Sequence, residues 1–249
     1  MYLQLSTWQE VEVYLERSKA VLIPIGSTEQ HGPNGFIGTD ALCPEILARG
    51  IEAEIGCLVA PTLPIGMAQH HLGFSGSITL RPTTLIAVVQ DVVDSLARHG
   101  FERFYFLNGH GGNIATVSAA FSEIYAEASL GKADPKRPPL RCKLKNWWEN
   151  AAVQRISKER FGNAEGGHAT CSEVSLTYYG YPQHRKNAEM SPEIAPTGPI
   201  YDSADYRLRF PDGRIGSNPA LASVEAGKVL FEGAVPFLAA DFRAFAEAH

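Results

Sequence analysis

The sequence predicts an α/β fold in which a mainly parallel central sheet carries helices on its faces. Three features predict it: short apolar runs that read as buried strands, amphipathic stretches of helical period, and glycine-rich turns that join one to the other.

Ala20-Val21-Leu22-Ile23-Pro24-Ile25 is apolar throughout, as a strand buried on both faces should be. Ala41 to Glu54 follows as a helix, with Thr39 or Asp40 placed to cap it. Leu58-Val59-Ala60 reads as a second short strand. Arg81-Pro82-Thr83-Thr84 then opens a helix through His99, because proline suits a first turn and Leu85, Val88, Val89, Val92, Val93 and Leu96 form one wide apolar face. Phe101 to Leu107 is the next strand, after which the chain turns through glycines into an alanine-rich helix from about Ile114 to Ser129. Lys132 to Pro139, rich in proline and charge, reads as a surface loop ahead of a strand around Leu140 to Leu144. Ile156 to Gly167 reads as polar and irregular, followed by a helix from His168 to Tyr179. Met190 to Pro219 mixes prolines and glycines with aromatics, which points to an ordered, non-repetitive arm. Leu221 to Ala248 closes the chain as a helix, with a break expected near Pro236. No linker-like stretch divides the sequence, so a single domain over residues 1–249 is expected.

Composition narrows the function. Hydrophobic residues make up 45%, enough for a substantial core, while a net charge of -5 leaves no basic surface for nucleic acid or an anionic membrane. No apolar run approaches the roughly 20 residues of a membrane span, and Met1-Tyr2-Leu3-Gln4 lacks a signal pattern, so a cytoplasmic protein is expected. Cys43, Cys57, Cys142 and Cys171 form no CxxC pair, which argues against a zinc knuckle or a disulfide framework. Cys171 lies three residues after His168 and is the one thiol with a candidate base nearby.

The chemistry concentrates at Glu29-Gln30-His31, Asp40 and Asn108-Gly109-His110-Gly111-Gly112-Asn113. Glu29 and His31, two residues apart, face the same side of an extended segment. Asp40 offers two oxygens able to bridge two cations, and His110 adds a nitrogen suited to zinc, manganese or iron. The loops that carry them follow strands at the carboxyl edge of the inferred sheet, where such sheets bind ligands. Carboxylates gathered there would repel one another without a cation. Glu173, five residues after His168, is expected as a fifth ligand, leaving His168 free to move protons. A phosphate cradle is the weaker reading of the glycines, since neither GKS/GKT nor GxGxxG is present. It would need a positive lining, for which Arg81, Arg185 and Lys186 are the candidates.

These segments resemble the creatininase (creatinine amidohydrolase) family. The resemblance lies in Pro24 to Pro33 with Gly38-Thr39-Asp40, in His71-Leu72-Gly73-Phe74-Ser75-Gly76-Ser77-Ile78, in Asn108 to Asn113, and in His168-Ala169 leading to Glu173-Val174-Ser175. It implies a three-layer α/β/α, creatininase-like fold and a metal-dependent hydrolase of amide C–N bonds, commonly hexameric. It assigns Glu29, His31, Asp40 and His110 as ligands, with Asp40 the bridge, and matches His168 to an acid or base. Two departures stand out. The creatinine-hydrolysing type has a ligand glutamate where this chain has Gly112, a place that Glu173 is expected to fill. It also has a tryptophan shortly before the histidine, where this chain has Ala164, so Trp148, beside Trp147, is the aromatic expected on the substrate side with His71, Asn108 and Gly111.

The expected mechanism has two divalent ions sharing Asp40, one held also by Glu29 and His110, the other by His31 and Glu173, and a water activated between them. The substrate is a small molecule, with a cyclic amide, a formamide, a short modified peptide, a cyclic ketone and a lactone all open. Tyr201 to Phe210, with Tyr206, Arg207 and Arg209, is expected to close a neighbouring subunit's site. A rival reading is a metal-stabilised binding or scaffold oligomer without turnover; a closed ion shell with no cavity beside His168 would favour it.

Overall fold

The computed structural model describes residues 1–131 and 138–248. Three parallel strands form its sheet in the order β1 (Ala20–Ile25), β2 (Arg103–Asn108), β3 (Arg141–Asn146). Their side chains alternate between two cores. Ala20, Leu22, Tyr105 and Leu107 face one, and Val21, Ile23, Ile25, Phe104 and Phe106 face the other. Burial on both faces explains why β1 and β2 read as near-continuous apolar runs.

One face is covered by α2 (Thr39–Ile55), α5 (Ala151–Phe161), α6 (Cys171–Gly180) and α8 (Val224–Glu247). The other is covered by α3 (Pro82–Ala97) and α4 (Asn113–Ser129), with residues of α1 (Trp8–Arg17) joining that core. The layering is thus α/β/α, as the sequence predicts.

Several local expectations change. Gly38 precedes α2 and makes no side-chain cap, so Thr39 and Asp40 lie inside the first turn. Leu58-Val59-Ala60 runs beside β1 through an isolated parallel bridge at Val59 instead of forming a full strand. The stretch expected to be irregular from Ile156 is helical in α5, because Asn150 caps the Val153 amide and Val153, Ile156 and Phe161 are buried. His168 does not begin a helix: it pairs with Ile215, and α6 starts after Thr170. The arm contains a short helix α7 (Ser203–Arg209), and α8 continues through Pro236. Within the loop expected from Lys132 to Pro139, residues 132–137 lie outside the described residues.

Candidate metal centre

The carboxyl ends of β1 and β2 meet the first turn of α2. A Cβ on Gly26, just after β1, would lie 2.1 Å from the Asp40 carbonyl oxygen, and one on Gly109, just after β2, 2.0 Å from it. Both positions must be glycine for the helix to sit so close. That contact brings the Asp40 carboxylate to the strand ends, where an acid in a first helical turn is also favoured by the helix dipole.

Glu29, His31, Asp40 and His110 are all buried, and Glu173 and His168 nearly so. His31 Nδ1 lies 3.1 Å from the carbonyl oxygen of Glu29, to which it donates, leaving Nε2 aimed at Asp40 Oδ1 at 3.0 Å and Glu173 Oε1 at 3.8 Å. His110 repeats the arrangement: Nε2 donates to the Met67 carbonyl at 2.9 Å, and Nδ1 faces Asp40 Oδ2 at 2.9 Å. In each ring a main-chain carbonyl fixes the tautomer, and a lone pair points at carboxylate oxygen. Acceptor facing acceptor requires a cation between them.

The protein without metal supplies a proton. Burial would lower the His31 imidazole, but Asp40, with Glu173 and Glu29, outweighs it and lifts the pKa to about 10. Burial is likewise overcome at His110 by Glu29 and Asp40, which raise it to about 9. Asp40 itself is held well below the usual carboxylate range, burial being outweighed by the two imidazoles. Burial pushes Glu173 up to about 7 against the pull of His31.

Two buried oxygens, Glu29 Oε1 and Asp40 Oδ2, have no aligned hydrogen bond, although His71 Nε2 and His110 Nδ1 approach them at 3.0 and 2.9 Å. Such orphaned acceptors are costly unless an ion occupies the space between the donors. Ligand atoms group as Glu29–Asp40–His110, as His31–Asp40–Glu173 and as Glu29–His31–His168, each within 4.8 Å, with Asp40 common to the first two. Carboxylate and imidazole donors of this kind suit zinc-like divalent ions. The residues therefore fit a pair of divalent cations.

His168 Nε2 lies 2.9 Å from both the carbonyl oxygen and the side-chain nitrogen of Gln30. The Gln30 amide has two hydrogens, and Gly213 O and His71 Nδ1, each at 2.9 Å, accept them. His168 Nε2 therefore donates to the carbonyl, and its free lone pair is on Nδ1, 3.8 Å from Glu29 Oε1. Burial, reinforced by His31 and His71, holds the His168 pKa well below its ordinary value, so the ring is neutral. Gln30 was not among the sequence candidates. Its signal was its place between two ligands, where period-two alternation turns it away from them and into the protein body.

A cavity of about 500 Å³ opens on this cluster, lined by Asp40, His110, Gly111, Trp148, His168 and Glu173 among others. An ion site that faces such a cavity is unlike the closed shell of a structural site. His71 and Asn108, expected on the substrate side, lie behind the ligands. Burial, followed by His70 and His31, takes His71 down to about 2, and its neutral ring packs against Tyr206 with centroids 4.7 Å apart. Asn108 is spent on the loop, donating to His110 O and Asn146 Oδ1 while accepting from the His110 amide. Tyr206, expected to serve a neighbouring subunit, is buried in its own chain and donates to Gly213 O.

Glu173 has two duties: it closes a capping box by accepting from the Thr170 amide, and it faces His31. Cys171 is no nucleophile. Its thiol is buried, shares its one hydrogen between the carbonyls of Ala164 and Asn218, and is pushed up to about 12, chiefly by burial. Arg81, Arg185 and Lys186 do not line the cavity, so the three cations expected to serve a phosphate cradle at the glycine loop do not serve it. A side chain on Gly112 would strike the His110 ring, with Cβ 2.4 Å from Nε2, so the missing glutamate cannot be restored without moving a ligand.

Residues 4–242 match the profile of the creatininase family, described as creatinine amidohydrolase. The chain is 30% identical over 253 residues to creatinine amidohydrolase of Pseudomonas putida, covering 95% of this chain and 94% of that one. It is 31% identical over 181 residues to 3-dehydro-scyllo-inosose hydrolase of Thermotoga maritima, covering 72% of this chain and 55% of the other. A solved creatininase with manganese superposes with a TM-score of 0.82 at 26% identity, covering 99% of this chain and 98% of that chain.

Proposed function

The chain belongs to the creatininase family, and on that premise we propose that it hydrolyses an amide C–N bond of a small molecule, using two divalent cations held by its own side chains. Glu29, His110 and Asp40 would hold one cation, and His31, Glu173 and Asp40 the other. Bound there, the cations supply Lewis acidity for a scissile carbonyl and make water ionisable near neutral pH.

The chain's own groups orient and move protons around that chemistry. Ser27 Oγ donates to Glu29 Oε2 at 2.8 Å and His71 abuts the other oxygen, so the carboxylate cannot rotate. His168, neutral and tethered through Nε2, takes a proton on Nδ1 and returns it to the departing nitrogen, which would otherwise leave as a very poor amide anion. Gly111, with no atom within 4 Å of where a Cβ would stand, and Trp148 border the space left for the substrate. Asn108 acts from behind by holding the His110 loop.

The observation that carries the proposal is the shared carboxylate: Asp40 turns one oxygen toward His31 and the other toward His110, each at about hydrogen-bond distance. It extends to zinc, manganese or iron as the cations, manganese and zinc–zinc forms being found among similar solved creatininases, and further to one domain over residues 1–249 and a cytoplasmic homohexamer. Metal analysis of the purified protein, followed by a screen of amides, formamides, lactones and a cyclic polyol ketone with His168→Ala as control, tests it. Two divalent ions per chain and turnover of an amide are expected. Metal-free protein, or full activity in the variant, would refute the proposal.

A further inference from the structure

Away from the ligands, the cavity has a second polar wall. Gln154, Ser157 and Lys158 are spaced i, i+3 and i+4 on α5, so they share one helix face, and all three line the cavity. Ser157 is 8% exposed, and its Oγ has no hydrogen-bond partner. Trp147, on the same wall and 1% exposed, likewise leaves its Nε1 unpaired. Lys158 forms no ion pair with any described residue. The one carboxylate on the wall besides the ligands, Glu165, is already engaged, accepting from the hydroxyl and the amide of Ser172.

The indole N–H and the ammonium group can only donate, and a serine hydroxyl and a glutamine amide can donate as well. Lys158 and Gln154 are exposed at the cavity, while the unpaired serine hydroxyl and indole N–H lie sealed just behind its surface, so the side chains that a ligand meets directly on this wall suit a group rich in acceptors. One unpaired cation matches a monoanion, and a carboxylate makes short charge-assisted bonds with such donors. Resting on the proposed amidohydrolase activity, we propose that the α5 wall is a specificity subsite for a carboxylate at the far end of the substrate. The preferred substrates are then small amides that carry a distal carboxylate.

Matched pairs test this in the metal-loaded protein: succinamate with succinamide, glutaramate with glutaramide, adipamate with adipamide. In at least one pair the carboxylate member should be favoured tenfold or more in kcat/KM, with most of the difference in KM. Lys158→Met should abolish the preference and Lys158→Glu reverse it, while Arg155→Met, exposed on the same helix and outside the cavity, should keep it. Equal kcat/KM within every pair, or a preference that survives Lys158→Met, would overturn the subsite. Calorimetric binding of the same pairs separates this failure from that of the proposed function. If no amide is cleaved, the proposed function fails, and tighter glutaramate binding that depends on Lys158 still upholds the subsite. Binding that ignores Lys158, which direct carboxylate ligation of the cations would produce, refutes it.

Discussion

His168 donates from Nε2 to the main-chain carbonyl of Gln30 at 2.9 Å, which leaves Nδ1 as its only atom free to exchange a proton in the site. On the proposed reading the ring moves protons and holds neither cation, although it also groups with Glu29 and His31. His168→Ala should therefore retain its metal and lose about 10²–10⁴ in kcat. Metal content and steady-state kinetics on one preparation check this; loss of metal in parallel with activity would make His168 a ligand.

Asp40→Ala should lose both cations, because the same carboxylate belongs to both trios proposed to hold them, whereas Glu173→Gln should weaken only one. Elemental analysis after exhaustive dialysis distinguishes the two. Retention of two metals in Asp40→Ala would remove its bridging role.

Cation binding should release protons. In the metal-free protein His31 and His110 stand at about 10 and about 9, so both rings are protonated at pH 7 and must lose a proton to bind. Metal affinity should fall as pH falls. Both pKa values are raised above the unfolded value of about 6.5, so the stability they contribute to chelated protein is fully present below about pH 6.5 and is lost as pH rises through 9 and 10. Chelated protein should melt at a lower temperature at pH 9.5 than at pH 6.5. Binding calorimetry in two buffers of different ionisation enthalpy measures the released protons directly.

Cys171→Ala should keep kcat within about twofold and cost about 1–2 kcal/mol of stability, since the thiol serves only as a small buried donor to two carbonyls. Cys171 in native protein should also resist iodoacetamide at pH 8, as peptide mapping of the alkylated protein would show, because the thiol is protonated there. Rapid alkylation with loss of activity would contradict both.

The glycines of the second loop should differ sharply. Gly111→Ala meets nothing within 4 Å and should fold normally, while Gly109→Ala drives a methyl into the Asp40 carbonyl and should cost about 3 kcal/mol or more. Denaturant titration of the two variants measures the contrast.

The cluster of candidate ligands was legible because Glu29, His31 and His110 sit in loops directly after strands, and strand order follows from apolar runs. Asp40 was legible as a ligand, although a cap role competed with it, since nothing local reveals that Gly38 precedes the helix. The helix α1 carried a readable capping box, Thr7 with Glu10, that the apolar pattern did not draw out. In α5 only a few positions face the core, so its polar stretch resembled a loop. The places of His71, Asn108 and Tyr206 depend on how distant segments pack, and that information is not local in the sequence.

The crowding of Gly26 and Gly109 against the Asp40 carbonyl means that two hydrogen atoms, where other residues carry a methyl, set the clearance between sheet and helix. Random mutagenesis should therefore find these glycines as intolerant as the proposed ligands, although neither offers a side-chain atom to a cation. The helix face across the cavity has no such restriction. A descendant of this protein can change what it recognises by redrawing α5 while the machinery that cuts stays untouched.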